Sequence, residues 1–273
     1  MISVITINFN NKLGLERTLK SVISQRDLDF EYIVIDGNST DGSKDLLELN
    51  KNAISILVSE PDSGIYNAMN KGIRLASGDY LLFLNSGDVL FNDTVLNRVF
   101  NSLNNDIDIF YGDLILINNF NDIEDIYPNN ISFAFLFEKS LPHPATFIKK
   151  ELFYKYHYYS ENLNIVADWE FFMLAIIKYN VSIKHLGFFI TKFDTTGISN
   201  QSKYREAIIK ERDYVMMQHF PLLIELLKDF NLFNSNRFKL LRILEGSKLA
   251  QKLNSLWLRL LLFFLKGKRL KDL

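Results

Sequence analysis

The chain has 273 residues, of which 48% are hydrophobic and 23% charged, and it contains no cysteine. These values indicate a globular protein with a sizeable core, and they exclude disulfides and thiolate metal sites. Residues 1–220 carry 20 Lys/Arg against 28 Asp/Glu, whereas residues 221–273 carry 11 against 4. The acidic body argues against a nucleic-acid partner, and the N terminus lacks a signal-peptide pattern, so we expect a cytoplasmic protein.

The first 120 residues alternate between short apolar runs and helical patterns. The apolar runs lie at Val4–Phe9, Tyr32–Ile35, Ile54–Val58, Tyr80–Leu84 and Ile107–Ile117, and the helical patterns at Leu15–Ile23, Asp45–Leu49, Ile65–Ala76 and Thr94–Leu103. This alternation is typical of βαβ units. We therefore predict an α/β fold with a mostly parallel sheet flanked by helices. A helix at Asp168–Tyr179 and a strand at Phe188–Phe193 follow.

Polar side chains come directly after the predicted strands. Asn8 follows the first strand, Asp36 the second, Asp62 the third, and the segment Asn85–Asp88 the fourth. Ligands of open α/β sheets bind outside the carboxyl ends of the strands. We therefore expect these side chains to share one rim of the sheet.

The segment "SGDYLLFLNSGDVL" places four polar residues after a strand that looks buried on both faces. A carboxylate such as Asp88 can bind a hard divalent cation, while Asn85 and Ser86 can supply neutral oxygens or hydrogen bonds. A plain Ser-Gly-Asp turn is the structural alternative. The position on the shared rim favours the functional interpretation.

Two neighbouring segments supply further candidates. "DGNSTDGS" does not fit a calcium loop, because glycine is missing from its sixth position and glutamate from its twelfth. That leaves Asp36 available to accept hydrogen bonds from a ligand base or ribose. In "PDSGIYNAMNKGIRLASG", Asn70 and Lys71 are predicted ligand contacts, because the adjacent Gly72 permits close approach.

The second half of the chain offers an acid and a histidine. Asp168 opens a helix after apolar residues, where desolvation can shift a carboxylate toward the pKa of a general base. A helix-capping role is the alternative for Asp168 and is favoured for Glu170. His143 lies between two prolines in "LPHPATF", and the stiff backbone suits a substrate contact.

The ordered motifs "VITINFN", "IVIDGNSTDGS", "EPDSGIYNAMNKGI" and "SGDYLLFLNSGD" resemble those of the family 2 glycosyltransferases, which have a GT-A fold. "ADWEFF" and "FDTTGIS" extend the resemblance to about residue 220. The chain is most similar to bacterial transferases that build exopolysaccharide or O-antigen repeat units. P-loop and nicotinamide-binding fingerprints do not occur in the sequence.

The resemblance implies an inverting enzyme that takes a nucleotide-diphospho-sugar donor and holds its diphosphate with a divalent cation, Mn²⁺ or Mg²⁺. It assigns nucleotide contacts to Thr6, Asn8, Asp36 and Asp62, the metal-motif positions to Asn85–Asp88, and the catalytic base to Asp168. The motif Asn-Ser-Gly-Asp keeps only its last carboxylate. Met69 also stands where relatives often carry arginine, so Lys71 is expected to replace that cation.

The absence of the Q-x-x-R-W signature of processive synthases favours transfer of a single sugar to a saccharide acceptor, which we expect to be lipid-linked. The chain divides into a GT-A domain at 1–220 and a helical, basic extension at 221–273. Its apolar run Leu256–Leu265 would extend about 15 Å as a helix, half of a ~30 Å bilayer core. Two interpretations stay open: an interfacial helix on the inner face of the cytoplasmic membrane, or a helix packed on protein.

Two other functions are considered. A glycoside hydrolase would use Asp168 and Glu170 as its acid pair, but residues two apart on a helix point to different faces. A non-catalytic partner that binds nucleotide-sugars is suggested by the reduced metal motif.

Overall fold

The computed structural model describes residues 1–117, 122–197 and 201–224. Its strands are β1 (Ile2–Asn8), β2 (Glu31–Asp36), β3 (Ile56–Ser59), β4 (Tyr80–Phe83), β5 (Val89–Leu90), β6 (Ile109–Ile117), β7 (Ile123–Asp125), β8 (Thr146–Lys149) and β9 (Ile183–Asp194). Its helices are α1 (Lys12–Ile23), α2 (Ser43–Leu49), α3 (Ile65–Leu75), α4 (Val95–Phe100), α5 (Phe133–Glu138), α6 (Glu151–Lys155), α7 (Ala167–Met173) and α8 (Arg205–His219).

Within the described residues, nine strands form one sheet in the order β3-β2-β1-β4-β8-β6-β9-β5, with β7 paired to β6. Strands β3, β2, β1 and β4 are parallel, which confirms the α/β prediction for the first half of the chain. Strand β8 runs antiparallel between β4 and β6. The carboxyl ends of β1, β2 and β4 therefore meet at one edge, as the polar strand ends predicted.

The central parallel strands β1 and β4 are buried on both faces. Every residue of β1 and of β4 is buried, as expected for a sheet covered by helices on both sides. Helix α3 packs closely on β1, because a Cβ built on Gly72 would lie 2.5 Å from Ile5 Cγ2. Gly72 is therefore required by helix–sheet packing. The close approach that Gly72 permits is thus made by β1.

Helix α7 begins one residue earlier than predicted, at Ala167, and its chain continues as a π-helix over Leu174–Lys178. Its Phe171 stacks on Phe153 of α6 with ring centroids 4.5 Å apart. The Phe171 ring also packs edge-on against Tyr159, in the loop that leads to α7. These aromatic contacts anchor the helix that carries Asp168.

Residues Met1–Asp213 form one compact unit and Tyr214–Leu273 a second. Most of the predicted C-terminal extension, residues 225–273, lies outside the described residues. Among the helices that are described, none combines the length and the hydropathy needed to cross a bilayer.

Candidate active site

Asp36 ends β2 and is completely buried. Its carboxylate accepts hydrogen bonds from Asn8 Nδ2 at 2.8 Å, from Ser39 Oγ at 2.6 Å and from Ser59 Oγ at 2.7 Å. Burial alone would raise the pKa of Asp36, but these hydrogen bonds together outweigh it and lower the pKa below its ordinary value. Asp36 is therefore ionised, and its hydrogen bonds connect the ends of β1, β2 and β3.

Thr6 lies deeper in the sheet than the sequence suggested. It is fully buried, and its hydroxyl accepts a hydrogen bond from Tyr32 Oη at 3.2 Å. The structure therefore does not support a direct nucleotide contact for Thr6. Asn8, two residues further along β1, reaches the rim, and its Oδ1 is a buried acceptor that has no hydrogen-bond partner in the part of the chain that the structure describes.

Asp62 and Phe9 meet at the end of β2. A Cβ built on Gly37 would lie 2.5 Å from Asp62 Oδ2 and 3.1 Å from the Phe9 ring, so both side chains lie against this glycine. Phe9 is 65% exposed although it directly follows a fully buried strand. An exposed aromatic ring beside a carboxylate offers a stacking surface for a planar ligand group.

Helix α3 connects this rim to Asp168. The helix begins at Ile65, three residues after Asp62, and its Tyr66 donates a hydrogen bond to Asp168 Oδ1 at 3.1 Å. Asp168 is the second residue of α7 and is half-buried. The predicted nucleotide-site acid Asp62 therefore lies just before α3, the predicted base Asp168 lies in the first turn of α7, and Tyr66 links the two helices.

Of the two predicted ligand contacts on α3, Asn70 is buried among protein partners, and Lys71 pairs with the chain that leads to Asp62. Asn70 is 1% exposed, and its side-chain amide bonds the backbone N–H and C=O of Tyr159 and the carboxylate of Glu161. Lys71 Nζ pairs with Glu60 Oε1 at 2.7 Å and with the Pro61 carbonyl at 3.0 Å. The hydrogen bonds of Asn70 thus fix the loop before α7. The ion pair and hydrogen bond of Lys71 fix the chain that leads to Asp62.

The segment Asn85–Asp88 folds into a tight turn against β1. Ser86 donates to the Ile7 carbonyl through both its backbone N–H and its hydroxyl. Gly87 has a φ of +119°, and a Cβ there would lie 3.2 Å from Asp194 Oδ2. Glycine is therefore required by the turn. Asn85 Oδ1 is a buried acceptor without a hydrogen-bond partner among the described residues.

Asp88 lies behind this turn and is 4% exposed. Its Oδ1 accepts a hydrogen bond from the Asp194 backbone N–H at 3.1 Å. Burial raises the pKa of Asp88 to about 7; the Asp194 N–H opposes this shift and the Asp194 charge adds to it. Among the described residues, no cluster of three or more acidic or histidine side chains could hold a metal ion by itself.

His143 does not present an open surface to an acceptor, contrary to the prediction. The imidazole is 8% exposed, stacks on Phe83 with centroids 5.0 Å apart, and shares a 2.9 Å hydrogen bond with Tyr159 Oη. Burial lowers the pKa of His143, with the Asp168 charge opposing. His143 is therefore a neutral, buried side chain that lies near Asp168.

Three contributors were missed in the sequence: Tyr66, Glu161 and Phe9. Tyr66 lies three residues before Met69 and seven before Ile73, so it shares a helix face with apolar residues, and its hydroxyl gives no signal in a hydropathy pattern. Glu161 lies in a loop without periodicity, yet it bonds Asn67 and Asn70. The apolar run Val4–Phe9 includes Phe9, but its place between Asn8 and Asn10 could have marked it as a residue beyond the strand.

Comparisons with known proteins show the family to which the chain belongs. Residues 3–175 match the family model described as Glycosyl transferase family 2. The Mycobacterium tuberculosis protein named "Uncharacterized glycosyltransferase Rv1514c" is 34% identical over 204 residues, covering 73% of this chain and 77% of the relative. Escherichia coli WfgD, named a UDP-Glc:alpha-D-GlcNAc-diphosphoundecaprenol beta-1,3-glucosyltransferase, is 24% identical over 223 residues, covering 76% of this chain and 82% of WfgD.

Solved structures show the same fold. S. aureus TarS 1–349 in complex with UDP-GlcNAc superposes with a TM-score of 0.63 at 18% identity, covering 79% of this chain and 66% of that chain. The chain spans only 36% of a longer TarS structure. The Pyrobaculum calidifontis mannosyltransferase PcManGT in complex with GDP-Man and Mn²⁺ gives a TM-score of 0.57 at 16% identity, covering 96% of this chain and 80% of that chain. With this GT-A fold and the family match over residues 3–175, the chain belongs to glycosyl transferase family 2 and is a glycosyltransferase.

Proposed function

We propose that the enzyme transfers one sugar from a nucleotide-diphospho-sugar to a lipid-linked saccharide, with inversion at the anomeric carbon. The observation that carries this proposal is the Tyr66–Asp168 hydrogen bond, because it ties an accessible carboxylate to the helix that starts beside Asp62. A donor lying along the rim would then have its anomeric carbon between the Asn85–Asp88 turn and Asp168.

Phe9, Asp62 and Asn8 are proposed to hold the nucleoside. The exposed Phe9 ring offers a face on which a base can stack, a contact worth about 1–3 kcal/mol per base. Asp62 lies against the same glycine as Phe9, where a carboxylate can accept hydrogen bonds from a ribose or a base. Asp36 holds the Asn8 side chain in place from beneath.

Asp168 is proposed to act as the general base. In an inverting transfer, the acceptor hydroxyl attacks the anomeric carbon from the face opposite the diphosphate and loses its proton to the base. Tyr66 holds one oxygen of the carboxylate, and the other oxygen is left for the acceptor hydroxyl. His143 and Tyr159, which are buried and neutral, add no charge of their own near the carboxylate of Asp168.

The oxygen groups of the Asn85–Asp88 turn fit a hard divalent cation that would bind together with the donor diphosphate. Asp88 and Asn85 Oδ1 are the groups of this turn that would hold it, and Asn85 Oδ1 has no hydrogen-bond partner among the described residues. When bound, a cation stabilises the negative charge that develops on the leaving diphosphate. PcManGT, a fold neighbour, was crystallised with Mn²⁺.

The lipid-linked acceptor is proposed from WfgD, whose name specifies a diphosphoundecaprenol-linked saccharide. The basic extension at 221–273 is proposed to bind the inner face of the membrane, where such an acceptor would lie. The glycoside hydrolase alternative loses support, because Glu170 is only 4% exposed and so does not form an open acid pair with Asp168.

A donor panel tests the proposal. The full chain is incubated with UDP-glucose, UDP-GlcNAc and GDP-mannose, with a diphosphoundecaprenol-linked GlcNAc acceptor, and with Mn²⁺, Mg²⁺ or a chelator. We expect nucleoside diphosphate release that depends on the acceptor, and a product of inverted anomeric configuration by NMR. A product of retained configuration, or sugar release without any nucleotide, would contradict the proposal.

A further inference from the structure

Helix α7 lacks a capping residue of its own. Its N-cap position is Val166, which makes no side-chain capping hydrogen bond. The first N–H groups of a helix have no intrahelical partner, and Ser, Thr, Asp or Asn usually satisfies one of them. Valine cannot do this, so hydrogen-bond acceptors at the start of α7 come from other parts of the molecule.

Glu211 of α8 accepts hydrogen bonds from the chain just before α7. Its Oε1 accepts from Asn164 N at 2.9 Å and from Asn164 Nδ2 at 3.2 Å. Its Oε2 accepts from Ile165 N at 3.0 Å and from Val166 N at 3.2 Å. One carboxylate from a distant helix therefore holds three successive backbone N–H groups that end two residues before Asp168.

The neighbouring Arg212 holds the other side of the same turn. Its Nη1 donates to the Glu138 carbonyl at 3.1 Å, and its guanidinium carbon lies 4.7 Å from the centroid of the Trp169 ring. Trp169 directly follows Asp168, and its indole N–H donates to the Leu136 carbonyl at 2.6 Å. Consecutive residues of α8 thus fix the chain on both sides of Asp168.

We propose that Glu211 is a positioning residue that sets the orientation of Asp168 toward the acceptor hydroxyl. The proposal rests on the proposed function, in which Asp168 is the base. Proton transfer requires the carboxylate to lie within hydrogen-bond reach of the hydroxyl, and a shift of about 1 Å can cost about 100-fold in rate. Glu211 lies outside residues 3–175, so the family match does not include it.

The test compares Glu211→Ala and Glu211→Gln with the control Glu206→Gln. Glu206 lies on the same helix, is 81% exposed and pairs only with Lys210 among the ion pairs of the described residues. Transfer from UDP-glucose is measured as kcat per UDP-binding site, with the number of sites counted by calorimetry. This normalisation removes any loss caused by unfolded protein.

We expect kcat per site to fall about 10- to 100-fold in Glu211→Ala, with the dissociation constant for UDP changed less than about twofold. Glu211→Gln keeps one acceptor oxygen and should fall between Ala and the wild type, while Glu206→Gln should match the wild type. If the Ala variant does not fold, Glu211→Gln carries the test. Wild-type kcat per site in the variant that folds would overturn the proposal.

Amide hydrogen exchange separates this inference from the proposed function. Exchange at residues 164–166 should accelerate in both Glu211 variants and not in Glu206→Gln, whatever reaction the enzyme catalyses. Unchanged exchange there would refute the Glu211 inference alone. Failure of the wild type to transfer sugar from any donor of the panel would instead refute the proposed function.

Discussion

Tyr66 Oη lies 3.1 Å from Asp168 Oδ1, although 102 positions separate the two residues along the chain. Burial raises the pKa of Tyr66 well above its ordinary value, and the charge of Asp168 adds to the shift. The phenol therefore stays protonated and serves as a permanent donor to the carboxylate. This bond joins the first turn of α3 to the first turn of α7 and determines how the proposed base is held.

Replacing Tyr66 with Phe should reduce kcat while leaving donor affinity unchanged. A hydrogen bond to a charged group contributes about 1.5–3 kcal/mol, so we expect a loss of about 10- to 100-fold. The measurement is steady-state transfer together with UDP calorimetry. Tyr80→Phe is the matched control, because Tyr80 Oη donates to the carbonyls of Asn104 and Ile107 and does not contact Asp168. Equal losses in the two variants would count against the specific role of Tyr66.

Phe9→Ala should weaken nucleotide binding, because it removes the exposed ring beside Asp62. Loss of one stacking contact costs about 1–3 kcal/mol, which corresponds to about a 5- to 150-fold increase in the dissociation constant for UDP. Phe9→Tyr should restore binding, since it keeps the ring. Leu49→Ala, at a residue that is 84% exposed, serves as the control. UDP affinity that does not respond to Phe9→Ala would rule out the stacking role.

The buried His143 should make stability depend on pH. Because burial lowers its pKa in the folded state, the unfolded chain takes up a proton first as the pH falls below about 6.5. The free energy of unfolding should therefore be highest above that pH and should decrease below it, by at most about 1.4 kcal/mol per pH unit.

Urea unfolding of the wild type and of His143→Asn at about pH 7.5 and about pH 5.5 isolates this contribution, because the ordinary His pKa of about 6.5 lies between them. The difference in free energy of unfolding between the two proteins should shrink or reverse at the lower pH, whatever its size at the higher pH. A difference that is the same at both pH values would show that His143 accepts a proton equally well in the folded and unfolded states.

Asn70→Ala should act on stability more than on donor binding. The change leaves the Tyr159 backbone N–H and C=O without their side-chain partner in a buried position, and each unsatisfied group costs about 1–3 kcal/mol. We expect the urea midpoint to fall while the dissociation constant for UDP stays within about twofold in folded protein. A large loss of UDP affinity without loss of stability would restore the ligand contact predicted from the sequence.

The sequence predicted the parallel half of the fold well, because β1, β2 and β4 are continuous apolar runs that end in polar residues. The positions of Asn8, Asp36 and Asp62 at one edge follow from strand direction alone. The sequence could not predict which polar side chains at that edge already form hydrogen bonds within the protein. The carboxylate oxygens of Asp36 accept hydrogen bonds from side chains of three segments. These contacts join residues that are remote in sequence.

The same limit explains the corrections at Thr6, Asn70 and His143. Each is a polar residue that the sequence or the resemblance assigned to a ligand contact, and each is buried among partners from another element. A pattern along one segment indicates where a residue lies on its helix or strand, but it does not show which other elements pack against that side chain. Glu211 is the converse case, because α8 looks like an ordinary solvated helix until its contacts with the chain before α7 are known.

Asp168→Asn tests the central claim most directly. The isosteric amide keeps the size of the side chain but cannot accept the proton of the acceptor hydroxyl. Sugar transfer from UDP-glucose is measured beside UDP affinity and amide exchange at residues 164–173, with exposed Asp213→Asn as control. We predict a loss of transfer of at least about 1000-fold, within the range of general-base catalysis, with UDP binding and exchange unchanged. Transfer at the wild-type rate in Asp168→Asn would contradict the account.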